Sequence, residues 1–110
     1  MAKDWQLYAL HILDCIKKIR EIQTRGDILV DAVLYDATLR NLQTLSESTM
    51  HLPVDFKVAH QHINWKGING FRNILVHDYL GDIEPAVVVV VINDYLPELE
   101  RVIINLVKDI

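Results

Sequence analysis

"AVVVVVINDYLPELERVIINLV", residues 86–107, is the stretch whose reading decides the architecture of this chain. Val87 to Ile92 are six β-branched residues in succession, and propensity alone reads such a run as a buried strand. A strand needs a neighbour to take its backbone hydrogen bonds, and no other segment reads as one. Tyr95, Leu99, Val102, Ile103 and Leu106 then recur at steps of three and four, the spacing of a helix face. Pro85 stands where helices begin. The pattern therefore predicts one helix from Pro85 to the end of the chain, kinked at Pro97.

Working back from that helix, the remaining segments are also helical. Residues 4–23 place Trp5, Tyr8, Ile12, Cys15, Ile16, Ile19 and Ile22 on one stripe. Lys17, Lys18 and Arg20 fall toward its C-terminal end, where the helix dipole favours cations. Gly26 is a stop, and Asp27 offers an N-cap for a second helix over 28–48. Its inner stripe is expected to be Leu29, Val33, Leu34, Ala37, Leu42 and Leu45. Pro53 suits the first turn of a short helix running to about His60. A third long helix starts near Trp65 and ends at Gly81. The expected fold is all-α: an up-and-down bundle of four main helices plus a short one, forming one domain over residues 1–110.

The chain has 110 residues, 51% hydrophobic and 24% charged, the composition of a globular domain with one core. No apolar run approaches the roughly 20 residues of a spanning helix, and no leader-like start is visible. The single cysteine, Cys15, has no intramolecular partner and occupies an apolar helix position. A reduced, cytoplasmic setting is the expectation. The net charge of −4 argues against indiscriminate polyanion binding. Charge is unevenly spread, however. Residues 51–77 carry Asp55, Lys57, Lys66 and Arg72, a net +2, with four of the five histidines (His51, His60, His62, His77). That segment permits a local anion site within an acidic protein.

The chemistry concentrates in "GFRNILVHDYL", residues 70–80. At about 100° per residue, Ile68, Phe71, Ile74 and Leu75 share the core arc. Arg72, Asn73, His77 and Tyr79 share the opposite side. Arginine is permanently charged and its fork matches phosphate geometry, whereas histidine exchanges protons near neutrality. Asn73, one turn before His77, can hold its ring. The set suits metal-independent RNA cleavage: a base activates the ribose 2′-hydroxyl, a cation stabilises the phosphorus-centred charge, and an acid protonates the leaving oxygen. One histidine cannot be base and acid in a single step. A symmetric homodimer bringing two copies together would complete the site. A solvated polar helix face is the plain alternative.

"RNILVHDY" fits R-N-x-x-x-H-x-Y and is flanked by "GFRN" and "YLGDI". With "LRNLQTLSES" at 39–48 and "INDYLPELE" at 92–100, the chain resembles a HepT-like protein of the HEPN superfamily over nearly its whole length. The valine block at 87–91 is more β-branched than that family's last helix. The resemblance implies a homodimeric ribonuclease toxin paired with an MNT-type nucleotidyltransferase antitoxin, which transfers AMP to the motif tyrosine. Arg72 and His77 would be catalytic, Asn73 supporting and Tyr79 the modified residue. No cofactor or metal is implied. The alternative is a non-catalytic helical module that binds a nucleotidyltransferase partner or a nucleotide.

Other candidates are weaker. His60 and His62 lack the Cys, Asp or Glu neighbours that would complete a metal shell. Trp65 and Lys66 could stack a base and contact phosphate, or Trp65 could anchor its helix to the core. Arg40 and Asn41 could stand behind the motif, or join Glu47 in surface pairing.

Overall fold

The computed structural model describes residues 4–69 and 84–108. All regular structure among them is helical. α1 spans Asp4–Arg25, α2 Ala32–Thr49 and α3 Val54–Ala59. Residues 65–69 open α4, and the continuation of α4 toward Gly81 lies outside the described residues. α5, Pro85–Val90, runs without a break through a π-helical turn, Val91–Tyr95, into α6, Leu96–Lys108. Taking α5 to α6 as one helix, the described residues are all-α: three of the expected main helices, the short one, and α4 over residues 65–69.

The valine run is helical because burial outweighs propensity. Val88 is 0% exposed and Val91 and Ile92 are buried, followed by Leu96, Leu99, Val102 and Ile103. Val87 and Val90 point to solvent, 45% and 47% exposed. Burial of the adjacent Val91 and Ile92 breaks the alternation a strand would impose and matches a helix stripe. Where a kink was expected at Pro97, the helix carries a widened turn just ahead of it. The Leu96 amide bonds the Val91 carbonyl, five residues back. Pro97 lacks an N–H and its ring crowds the carbonyl four residues earlier, so a looser turn before it accommodates the ring.

α1 buries Ala9, Ile12, Cys15, Ile16 and Ile19 along the predicted stripe, with Trp5 and Ile22 packed at its edges. It ends at Arg25, before Gly26, as expected. α2 begins later than the sequence suggested. Two aspartates competed for the cap, and Asp31 caps the helix, its Oδ1 accepting from the amides of Val33 (2.9 Å) and Leu34 (3.2 Å). Asp27 organises the preceding turn, its side chain accepting from the Leu29 amide at 2.8 Å. The shift moves Leu29 and Val33 out of the inner stripe; they are 56% and 76% exposed. The buried residues are Thr38, Leu39, Leu42, Leu45, Ser46, Thr49 and Ser48, whose hydroxyl bonds the Thr44 carbonyl at 3.0 Å, while Leu34 of the expected stripe packs against the core.

The hydroxyls of these buried residues would be costly if left unpaired. Each bonds within its own helix: Thr38 to the Leu34 carbonyl (2.9 Å), Ser46 to Leu42 (2.7 Å) and Thr49 to Ser46 (2.7 Å). α1 packs against both α2 and α6, and Arg20 on α1 pairs with Glu100 on α6 at 2.7 Å. No helix of the described residues is long and apolar enough to cross a membrane.

Candidate functional site

Arg72, Asn73, His77 and Tyr79 lie outside the described residues, which do include residues 65–69, the start of α4. Asn64 caps it, its Oδ1 accepting from the Gly67 amide at 2.8 Å. The Asn64 side-chain amide donates to the Tyr95 hydroxyl at 3.2 Å. That bond ties the start of α4 to the π turn of the last helix. One residue upstream, Ile63 is buried, and Ile68 seats the first turn in the core.

Gly67 lets this cap side chain lie close against the backbone. A Cβ there would sit 2.5 Å from Asn64 Nδ2 and 2.7 Å from its Cγ, displacing the side chain. Asn64→Ala is expected to cost roughly 1 kcal/mol, the worth of an N-cap. Gly67→Ala should forgo most of the ~1 kcal/mol that glycine-to-alanine replacement gives inside a helix, because it dislodges the cap. Thermal melts of the two variants check this pair. A full helix-propensity gain in Gly67→Ala would contradict the cap geometry.

Trp65 takes the anchoring role. It is half-buried against the core, its Nε1–H donates to the His60 carbonyl at 3.0 Å, and its ring meets Phe56 edge-on at 6.0 Å. The Lys57 ammonium lies 5.9 Å from the ring centre, and burial pulls its pKa below the ordinary lysine value. Lys66, the neighbouring residue, is exposed.

The two histidines of the preceding loop have separate engagements. His60 Nδ1 lies 3.0 Å from the Phe56 carbonyl, and His62 Nε2 lies 3.0 Å from Glu98 Oε2 on α6. Arg101 holds the same carboxylate, and its hydrogen bond, followed by that of His62, lowers the Glu98 pKa. Among the described residues, no group of three or more His, Cys, Asp and Glu side chains is placed to hold a metal ion.

On α2, Arg40 is exposed and Asn41 bonds back to the Ala37 carbonyl at 2.9 Å. Glu47 is placed to accept from the Gln43 side chain at 3.4 Å. Cys15 is buried, its sulfur 3.4 Å from Thr44 Oγ1 and 3.5 Å from His11 Nε2. Burial pushes its thiol pKa up, as suits a core residue.

Sequence reasoning also missed a groove of about 650 Å³ between the first turns of α1 and the last turns of α2. Asp4, Leu7, Tyr8 and His11 line one wall. Thr44, Glu47, Ser48 and His51 line the other. Each set follows the spacing i, i+3, i+4, i+7, and the facing ends show that α1 and α2 run antiparallel. The Tyr8 and His51 rings stack across it, with centroids 4.1 Å apart and planes 12° apart. The repeated spacing was legible in each helix separately, but their juxtaposition was not.

The family model described as Ribonuclease HepT-like matches residues 12–106. A protein of Caldanaerobacter subterraneus subsp. tengcongensis named "Putative RNase" is 34% identical over 98 residues, covering 86% of each chain. A Thermococcus cleftensis protein named "Probable ribonuclease HepT" is 30% identical over 84 residues, 74% of this chain and 76% of that protein. A Methanocaldococcus jannaschii protein named "Gamma-glutamylcyclotransferase and putative RNase" is 29% identical across the whole of this chain, which spans 50% of that longer protein. No solved structure matches the chain significantly.

Proposed function

Because this chain belongs to the Ribonuclease HepT-like family, we propose that it is an endoribonuclease that cleaves RNA without a metal ion. The family match carries the reading: it extends through residues 12–106 and so includes the whole of the R-N-x-x-x-H-x-Y segment. Arg72 stabilises the negative charge that develops on the phosphoryl oxygens, a task suited to a group that keeps its proton. His77 transfers the protons, and Asn73 fixes its ring. Two copies of the chain form a homodimer and share one composite site, so that one His77 is base while the other is acid.

Within the same reading, the protein is the toxin of a toxin–antitoxin pair and works in the cytoplasm. An MNT-type nucleotidyltransferase antitoxin silences it by transferring AMP to Tyr79. The chemistry is self-consistent, since AMP on a tyrosine seven residues after Arg72 adds negative charge and bulk to the segment that carries the catalytic cation. In this reading Lys66, exposed on the first turn of α4, contacts RNA phosphate.

The test is RNA cleavage by wild type and His77→Ala, with and without a chelator. Activity that survives the chelator and disappears in His77→Ala is expected. RNA left intact by purified wild-type dimer would remove the enzymatic reading in favour of a partner-binding module. Intact mass after co-expression with a nucleotidyltransferase from an adjacent gene should show an AMP-sized addition that Tyr79→Phe lacks.

A further inference from the structure

We infer that the groove between α1 and α2 is a docking site for a basic amphipathic helix of a protein partner. The inference does not depend on the ribonuclease reading. Two antiparallel helices, each presenting one stripe, leave between them the seat that a third helix fills. Leu7 stands in this seat 70% exposed, and Leu10 beside it on α1 is 49% exposed. An occupant therefore needs an apolar stripe.

Charge selects the rest of its chemistry. Asp4 and Glu47 put a carboxylate on each wall, and among the described residues none that lines the groove is Lys or Arg. Glu47 also lies in the last turn of α2, a turn with no basic residue, where the negative end of the dipole disfavours a carboxylate. A docked cation relieves that repulsion. The Thr44 hydroxyl is engaged by the Arg40 and Asn41 carbonyls and the Cys15 sulfur, and the buried Ser48 hydroxyl by the Thr44 carbonyl, which leaves the carboxylates as the polar groups of the walls that select a ligand. The stacked Tyr8 and His51 rings add a flat aromatic surface on which a guanidinium can lie. Carboxylates and an aromatic shelf together favour arginine. The same carboxylates repel a phosphate backbone, so RNA is the poorer occupant.

The experiment uses the full chain and a labelled synthetic leucine–arginine amphipathic peptide. Saturable binding is expected, weakening as salt rises. Glu47→Lys should weaken it by about tenfold or more, the scale of a lost charge-assisted hydrogen bond. Leu7→Ser, at an exposed position that leaves the core intact, should weaken it as well, which keeps the test decisive if Glu47→Lys folds poorly. A peptide with glutamate in place of arginine should not bind. Equal binding by wild type and both variants, or by the glutamate peptide, would overturn the proposal. So would displacement of the peptide by an RNA oligomer, or a homodimer that Leu7→Ser dissociates, which would assign the groove to a second copy of this chain.

Discussion

Mixing equal amounts of wild-type and His77→Ala chains, dissociated and allowed to re-pair, is expected to leave about one quarter of the activity of the same total of wild-type chain. The number follows from how the proposed site is built. If each site needs one His77 as base and another as acid, a dimer with a single His77 lacks one proton-transfer partner. Loss of such a group costs roughly 100- to 10 000-fold. Random re-pairing leaves about a quarter of dimers fully wild-type, and only these cleave at full rate. A site complete within one chain would instead retain about one half. Initial rates on an RNA substrate across a series of mixing ratios separate the two: a quadratic dependence on wild-type fraction supports the shared site, and a linear one excludes it.

The fold was partly legible in the sequence, and the reasons differ residue by residue. Helical spacing after Tyr95 outweighed the strand propensity of the valines, because burial of a continuous stripe contributes more than intrinsic preference. Trp65 was readable as an anchor because large aromatic residues at helix starts bury area whether or not they bind a ligand. The onset of α2 was misplaced because Asp27 and Asp31 are chemically equal caps. Which one caps depends on the turn from Asp27 to Asp31, whose amides at 30 and 31 both bond the Asp27 carbonyl. Asn64 escaped notice for a related reason. Its value lies in reaching forward to Gly67 and across to Tyr95, and the second partner is 31 residues away. The groove between α1 and α2 was equally invisible, since two ordinary stripes become a site only once they face each other.

Leu99→Ala is expected to destabilise the fold by about 2–5 kcal/mol, the cost of truncating a fully buried leucine. Leu99 is 0% exposed in the centre of the α6 stripe, between Leu96 and the Val102–Ile103 pair. It belongs to the same core cluster as Ile12, Ile16 and Ile19 of α1. Such a loss would lower the melting temperature of a domain of this size by roughly 10 °C or more. Val87→Ala, about three helical turns earlier in the valine block, should act in the opposite direction. Val87 is 45% exposed, so its truncation forfeits little burial while alanine improves helix propensity by up to about 0.7 kcal/mol. A strand would reverse that sign, because removing a β-branched side chain from a sheet weakens it. Denaturant melts of the two variants therefore test both halves of the assignment. A stable Leu99→Ala would place that residue outside the core, and a clearly destabilised Val87→Ala would argue that the valine run is held as something other than a helix.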